Sequence, residues 1–245
     1  MDAARIAALL VPFLDRPLPA PALEQISIYI DLLLRWNARI NLTAVRHPEQ
    51  IVTRHFGESF FLARHLFPAE PGARTLLSAK SDEGTPPDEG APLIAQVAMS
   101  GKPSHPLQVL DLGSGAGFPA LPLKIWSPNI RLTLVESNHK KATFLREAVR
   151  SLTLINVNVI AERAETLVRL GPPQADIVTL RAVERFDTAL PLAIRFLAPA
   201  ARIALLIGAS QLPTLPKLAP TIDWRQPISV PQSRAKVLAI GVHRA

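Results

Sequence analysis

The chain contains no cysteine among its 245 residues, so disulfides, thiolate metal ligands and a cysteine nucleophile are excluded. Aromatic residues make up only 5%, which leaves little surface on which flipped bases could stack. No apolar run reaches the roughly 18 residues that a membrane-spanning helix needs. The opening MDAARIAALLVPFLDRP indicates an amphipathic helix and lacks the cleavage site of a signal peptide. We therefore expect a cytoplasmic protein with neither a membrane anchor nor a metal site.

The composition that is present favours a folded, basic protein. Hydrophobic residues form 48% of the chain, which is enough for a sizeable core, and the net charge is +7. A positive charge raises the association rate with polyanions, of which nucleic acid is the commonest in a cell. Many soluble proteins are mildly basic, so the charge alone leaves nucleic-acid binding open.

Three regions follow one another along the chain. Residues 1–67 are predicted to form an N-terminal helical segment, with helices over 21–39 and about 48–67, because apolar residues recur there at helical spacing. Residues 68–105 are rich in Pro, Gly and Ser and indicate an insertion or linker, with a short helical piece at Leu93–Met99. In residues 106–245, short apolar runs alternate with amphipathic helices, which predicts an α/β domain with a mostly parallel sheet covered on both faces.

The stretch VLDLGSGAGFPALPLKIW, residues 109–126, predicts a strand, a glycine-rich turn and a helix. Such a turn lets a ligand approach the backbone closely at the carboxyl end of the strand, although a tight turn without a ligand is the alternative. A dinucleotide site would need a third glycine at Phe118 for the pyrophosphate. S-adenosylmethionine has no phosphate and tolerates the bulky side chain, and its cationic groups would give Asp111 a partner.

Acidic residues after the next two strands fit the same ligand. Glu136 ends the second strand, where its carboxylate can accept hydrogen bonds from both ribose hydroxyls. Ala164 and Glu165 follow the third strand, where the adenine edge is expected. A solvated glutamate at a strand end is the competing interpretation of Glu136.

These segments, with LLLRWNARINLTAVR and TRHFGES upstream, resemble the RsmG (GidB) family of bacterial methyltransferases. The resemblance covers nearly the whole chain except residues 70–105 and the last forty. It implies a Rossmann-like class I fold with a seven-stranded, mostly parallel sheet and an N-terminal helical extension. It also implies transfer of a methyl group from S-adenosylmethionine to N7 of a guanine in 16S rRNA, guanine-527 in the 530 loop of the small (30S) ribosomal subunit.

The resemblance also assigns residues to the cofactor site. Gly113, Gly115 and Phe118 fall on the glycine turn, and Arg181 matches an arginine that lines the same site. The ribose-side and adenine-side positions are Glu136, Ser137, Asn138, Ala164 and Glu165. Two departures stand out: Glu58 replaces an aspartate, and Ile207 stands before Gly208 where relatives often carry a lysine, which puts an RNA contact there in doubt.

Cationic side chains near the predicted strand ends are the candidates for contacts with rRNA, and for each one a solvated surface charge is the alternative. His55 could stack on a base, but a partly buried structural histidine is the stronger interpretation. The candidates are Arg54, His55, Lys140, Lys141, Arg146 and Arg185. We expect a monomer.

Guanine N7 attacks with an exposed lone pair and loses no proton, so no general base is required and catalysis can rest on orientation. Other acceptors leave different signatures. Pyrimidine C5 methylation generally uses a cysteine, which is absent, and the GPPQAD stretch at 171–176 lacks the aromatic residue of an amine-methylating motif. A methyltransferase for another RNA or a small molecule, and an rRNA-binding assembly factor without activity, remain the alternatives.

We therefore predict that no single alanine substitution abolishes methyl transfer while both ligands still bind. Calorimetry for the cofactor and rRNA binding assays, run beside single-turnover rates for each variant, test this. One variant that bound both ligands normally and had lost all activity would contradict a mechanism based on orientation.

Overall fold

The computed structural model describes residues 1–68, 105–182 and 185–244. The helical piece predicted at Leu93–Met99, and nearly all of the predicted insertion at 68–105, lie outside the described residues. No helix within the described ranges is long and apolar enough to cross a membrane.

A mixed sheet forms the centre of the described chain, with the strand order β3-β2-β1-β4-β5-β8-β6. The first five strands are parallel, and β8 lies antiparallel between β5 and β6. This order is that of the class I methyltransferase fold, as predicted. The strands are β1 Gln108–Leu112, β2 Arg131–Val135, β3 Val157–Ile160, β4 Ala175–Arg181, β5 Leu197–Gly208, β6 Ile222–Trp224, β7 Ile228–Ser229 and β8 Lys236–His243.

The described sheet has eight strands where seven were expected, because its last position is divided. Both β6 and β7 pair with the outer edge of β8, at Gly241–His243 and at Val237–Leu238 respectively. Pro227 lies between them and has no backbone N–H to donate, and the pairing register with β8 shifts by one residue between Trp224 and Ile228. A turn separates β7 from β8, and Gln232 in it adopts a positive φ of 57°.

Helices cover both faces of the sheet, and the alternation of side chains along each strand divides the apolar core in two. In β1, Val109 faces the N-terminal helices and Leu110 faces the opposite layer. The first face is covered by α1 Ala3–Leu10, α2 Ala20–Asn37, α3 Pro48–Ile51, α4 Glu58–Leu66, α5 Ala120–Trp126 and α6 His139–Ser151. The second is covered by α7 Ala164–Leu170, α8 Phe186–Ile194 and α9 Leu215–Leu218.

The helix predicted over 48–67 is interrupted by a π-helical turn at Val52–Gly57, between α3 and α4. At the end of this turn the N–H of Glu58 donates to the carbonyl of His55 and not to that of Arg54, its usual α-helical acceptor. Gly57 is required at the end of this turn, since a Cβ there would lie 2.6 Å from the ring of Phe13.

The N-terminal helices pack directly on the glycine-rich turn after β1. The hydroxyl of Tyr29, in α2, donates to the carbonyl of Ala116 at 2.5 Å, and its ring stacks on Phe118 with centroids 5.2 Å apart. Gly117 has a φ of +81°, and a Cβ there would lie 2.4 Å from the Tyr29 hydroxyl and 2.7 Å from Leu121. The third glycine therefore serves the fit between α2 and the turn.

We predict that Gly117→Ala lowers the free energy of unfolding by about 3–5 kcal/mol, because it combines a left-handed φ with overpacking. Gly171→Ala is the matched control. Gly171 also has a positive φ, of +97°, but no atom lies within 4 Å of the added Cβ. Its cost should be only about 1–2 kcal/mol. Equal costs for the two variants in urea denaturation would contradict the proposed contact.

Candidate active site

A cavity of about 460 Å³ opens at the carboxyl ends of β1, β2 and β4, which is the ligand position of open α/β sheets. Its wall includes most of the predicted cofactor residues together with several that the sequence did not indicate. The predicted residues in the wall are Gly113, Glu136, Ser137, Ala164, Glu165 and Arg181.

The glycine turn brings backbone to the edge of this cavity. Gly113 has a φ of +71° and faces the cavity, and no atom lies within 4 Å of where its Cβ would be. Its N–H and that of Ser114 both donate to the carbonyl of Val135 at the end of β2. A side chain at Gly113 would therefore project into open space where a ligand could lie.

Glu136 is buried, and backbone groups fix its carboxylate. Oε2 accepts from the N–H of Gly115 at 2.8 Å, and Oε1 accepts from the N–H of Asn138 at 2.8 Å. Each oxygen keeps a second lone pair for a ligand hydroxyl. Gly115 thus contributes to the site by orienting the carboxylate of Glu136. The side chain of Asn138 instead caps α6, where it accepts from the backbone N–H groups of Lys140 and Lys141.

The start of α7 forms the wall opposite the glycine turn. Ala164 and Glu165 lie there as predicted, and the preceding Glu162 and Arg163 join them. These two were not predicted, although they lie in the same loop after β3 and immediately precede the predicted pair.

Phe118 lies in the interior and is not part of the cavity wall. Its ring stacks on Tyr29 and on His55, with centroids 4.8 Å apart in the second pair, and meets Phe56 edge to face at 5.1 Å. Phe118, which the resemblance assigns to the cofactor site, therefore packs the glycine turn against the N-terminal helices.

Arg181 projects from the end of β4 and is held by the π-helical turn. Its Nη2 group donates to the carbonyl of Arg54 at 2.6 Å, to Nδ1 of His55 at 2.9 Å and to Oε2 of Glu58 at 3.0 Å. Its side chain is 9% exposed. Burial lowers the pKa of Arg181, and the adjacent Glu58 opposes that shift, so the guanidinium stays charged.

Glu58 is shared by two cations. Besides Arg181, it accepts from Nζ of Lys236, at 2.7 Å to Oε1 and 2.9 Å to Oε2. The Glu58 side chain is 5% exposed, so its charge needs both partners. Lys236 was not predicted, because 178 residues separate it from Glu58 in the sequence.

His55 is neutral in this arrangement. Burial lowers its pKa to about 3, and the positive charges of Arg181, Lys236 and Arg54 add to the effect. Since Nδ1 accepts from Arg181, the ring proton is on Nε2, which donates to Oγ1 of Thr43 at 2.7 Å. His55 therefore has the environment of a structural histidine, which was the stronger of the two interpretations.

Asp111 has one carboxylate oxygen without a partner among the described residues. Oδ1 accepts from Thr179 at 2.6 Å, whereas Oδ2 is buried and makes no hydrogen bond. Burial raises the pKa of Asp111 to about 6, although the hydrogen bond from Thr179 opposes this. A cationic group of a ligand near the end of β1 would satisfy the free oxygen.

Comparison with known proteins matches residues 22–72 and 94–233 to the family described as rRNA small subunit methyltransferase G. The chain belongs to this family. The match extends on both sides of the glycine turn and includes most of α2 together with α3 and α4, so it is more specific than a shared cofactor motif.

Two relatives named ribosomal RNA small subunit methyltransferase G illustrate the similarity. The protein from Chloroflexus aggregans is 34% identical over 233 residues, which are 91% of this chain and 83% of that protein. The protein from Xanthomonas campestris pv. campestris is 30% identical over 100% of this chain and 95% of its own length. Among solved structures, the putative methyltransferase yhhF from Escherichia coli has a TM-score of 0.47 and 19% identity over 58% of this chain and 79% of that one. The fold assignment rests on the strand order rather than on that likeness.

For a family that methylates rRNA, the placement of the predicted RNA contacts is informative. Lys141 and Arg185 line the cavity, and the Lys140 side chain is exposed at the start of α6. Arg54 is exposed beside the residues that hold Arg181. Arg146 instead donates to the carbonyl of Val159 in β3, away from this group.

Ile207, the position where relatives often carry a lysine, is buried in the apolar layer against α8 and α9. The next residue, Gly208, pairs with Lys236 across the β5–β8 ladder. Directly paired residues of antiparallel strands point to the same face, so Lys236 reaches Glu58 while Ile207 faces away from it. No group of three or more His, Asp or Glu side chains in the described ranges could hold a metal ion.

We predict that His55→Gln makes the free energy of unfolding fall less steeply as the pH is lowered. The unfolded chain binds the His55 proton near pH 6.5 and the folded chain only near pH 3, so stability falls as the pH drops through this window, by up to about 1.4 kcal/mol per pH unit. Urea denaturation at intervals between pH 7.5 and 4.5 measures the slope.

Asp111→Asn provides the control of opposite sign. The folded protein holds the Asp111 proton up to about pH 6 and the unfolded chain only to about 3.8, so this group adds stability as the pH falls between them. Its removal should steepen the acid loss. Parallel profiles for the wild type and both variants would contradict the described environments.

Proposed function

We propose that this protein transfers the methyl group of S-adenosylmethionine to N7 of a guanine in 16S rRNA. Membership of the family supports the reaction, and the fixed carboxylate of Glu136 at the cavity carries the cofactor assignment. The target guanine-527 of the 530 loop and the small ribosomal subunit as substrate follow from the family resemblance.

The cavity wall suits a nucleoside with a cationic side chain. Glu136 would accept from the ribose hydroxyls, with its oxygens already oriented by Gly115 and Asn138. Ser137 would border the ribose, while Ala164 and Glu165 would border the adenine. These roles are proposals for this chain, and they fit a site in which the ligand lies across the ends of β1 and β2.

The two charged residues near the end of β1 and β4 would fit the methionine part. Asp111 is buried and is not part of the cavity wall, but its Oδ2 lacks a partner within the described chain, so its carboxylate would favour a positive group of the ligand nearby. Nε and Nη1 of Arg181 make no hydrogen bond to the described residues, so they are free to donate to an acceptor in the cavity. When bound, S-adenosylmethionine supplies an electrophilic methyl group on its sulfonium.

No side chain of the site has to remove a proton for N7 to react. His55 is neutral, but its Nδ1 is occupied by Arg181 and its ring is stacked on Phe118, so it does not serve as a base. The residues instead hold charge and position. Lys141 and Arg185 at the cavity, with Arg54 and Lys140 nearby, would bind the phosphates that flank the guanine.

The test uses small subunits and free 16S rRNA from a strain that lacks the gene. Purified protein and methyl-labelled S-adenosylmethionine are added, and 7-methylguanine is mapped by borohydride–aniline cleavage. We expect label at one guanine of the 530 loop. Glu136→Ala should raise the dissociation constant for the cofactor at least about tenfold, because it removes a carboxylate that would accept from two hydroxyls.

The other outcomes separate the alternatives. Normal cofactor binding without label would indicate a different RNA or a small-molecule acceptor. Failure to bind the cofactor, with rRNA still bound, would indicate an assembly factor without activity.

A further inference from the structure

A second concave surface lies between α2 and α6, apart from the cofactor cavity. Its volume is about 120 Å³, and it is lined by Arg35, Trp36, Arg39 and Glu147. We call these four residues the α2–α6 groove. Arg35, Trp36 and Arg39 belong to the segment LLLRWNARINLTAVR, which carries part of the family resemblance. The proposed reaction nevertheless gives the two arginines no role.

Trp36 makes the groove a fixed feature. Its indole Nε1 donates to Oε2 of Glu147 at 3.1 Å, and its ring meets Phe144 edge to face with centroids 5.8 Å apart. Both partners belong to α6. The end of α2 is therefore fixed against α6, and the backbone positions of the flanking arginines are set by that contact.

Arg35, in the last turn of α2, and Arg39, two residues beyond the end of α2, are both exposed. Neither guanidinium has a hydrogen bond or ion pair within the described ranges 1–68, 105–182 and 185–244. The acidic residue in the groove is Glu147, which is bonded to Trp36, and the exposed Asp31 lies one turn before Arg35 on α2. Two guanidinium groups without a partner in the described ranges thus lie beside a groove that also contains the carboxylate of Glu147, one oxygen of which accepts from Trp36.

Direct contacts connect this groove to the cofactor cavity. Asn37, next to Trp36, donates to the carbonyl of Thr43 at 2.9 Å, and the Thr43 hydroxyl contacts His55 at 2.7 Å. His55 in turn contacts Arg181 in the cavity wall at 2.9 Å. Along α6, Lys140 lies seven residues before Glu147 on the same face, about 10 Å closer to the cavity.

We propose that the α2–α6 groove binds the phosphate backbone of the rRNA beside the target nucleotide, with Arg35 and Arg39 as its two cationic contacts. This inference rests on the proposed function. Arginine is suited to the role because its planar group donates two parallel hydrogen bonds to a phosphate. Basic side chains then continue from the groove through Lys140 to Lys141 at the cavity.

The test compares Arg35→Ala/Arg39→Ala with Arg131→Ala/Arg195→Ala. The control pair removes the same charge from exposed positions at the start of β2 and just before β5, at the opposite end of the sheet. With unmethylated small subunits as substrate, the groove variant should raise KM at least about tenfold at 0.1 M salt. Its kcat and its affinity for S-adenosylmethionine should stay within about twofold of the wild type.

Salt dependence gives a second readout that misfolding would not reproduce. The slope of log K against log salt for 16S rRNA binding should become shallower by about 1.4–1.8, which corresponds to two lost phosphate contacts. Arg35→Lys/Arg39→Lys should keep most of that slope, because it keeps the charges. The control pair should leave the slope unchanged.

Equal KM values and equal slopes for the groove and control variants would overturn the proposal. The salt slope is measured by rRNA binding alone, so it tests the role of the groove even if no methyl transfer occurs. If the wild-type protein shows no methyl transfer, the proposed function is wrong. If the groove variant has the same salt slope as the wild type, the proposed role of the groove is wrong.

Discussion

The buried carboxylate of Glu58 is the constraint on which the arrangement of the site depends. It binds Arg181 from β4 and Lys236 from β8, and so connects the N-terminal helices to two strands of the sheet. A charge so deeply buried is tolerated only while its partners stay in place, since removal of one partner from such a pair typically costs about 3–5 kcal/mol. Arg181 is consequently held at the cavity by a buried residue that is not part of the cavity wall.

The N-terminal helices are part of the site through the same packing. Tyr29 contacts both the carbonyl of Ala116 and the ring of Phe118, which places α2 directly on the glycine turn. The π-helical turn supplies the carbonyl of Arg54 to Arg181. Geometry at the carboxyl edge of the sheet therefore depends on residues that precede it by about a hundred positions. The separate domain boundaries at 1–67 and 106–245 stay a prediction.

Local patterns in the sequence predicted the strands, the glycine turn and Glu136, because each depends on residues close together in the chain. The π-helical turn was not predictable, since helical spacing over 48–67 is compatible with an ordinary helix. Nor was the Glu58–Lys236 pair, because it depends on how distant strands pair. Phe118 shows the limit of motif matching: the motif located it on the turn, but only the tertiary structure places its ring among Tyr29, His55 and Phe56.

The shared core of the N-terminal helices and the sheet also sets an order of events during synthesis. Apolar side chains of α1–α4 are made first, yet their partners in α5 and α6 follow only after residue 120. Until then Tyr29, Phe56 and Phe60, which are fully buried in the finished protein, lack their partners Phe118 and Trp126. The nascent chain therefore carries an exposed aromatic surface through nearly half of its translation, which is the condition under which chaperones bind.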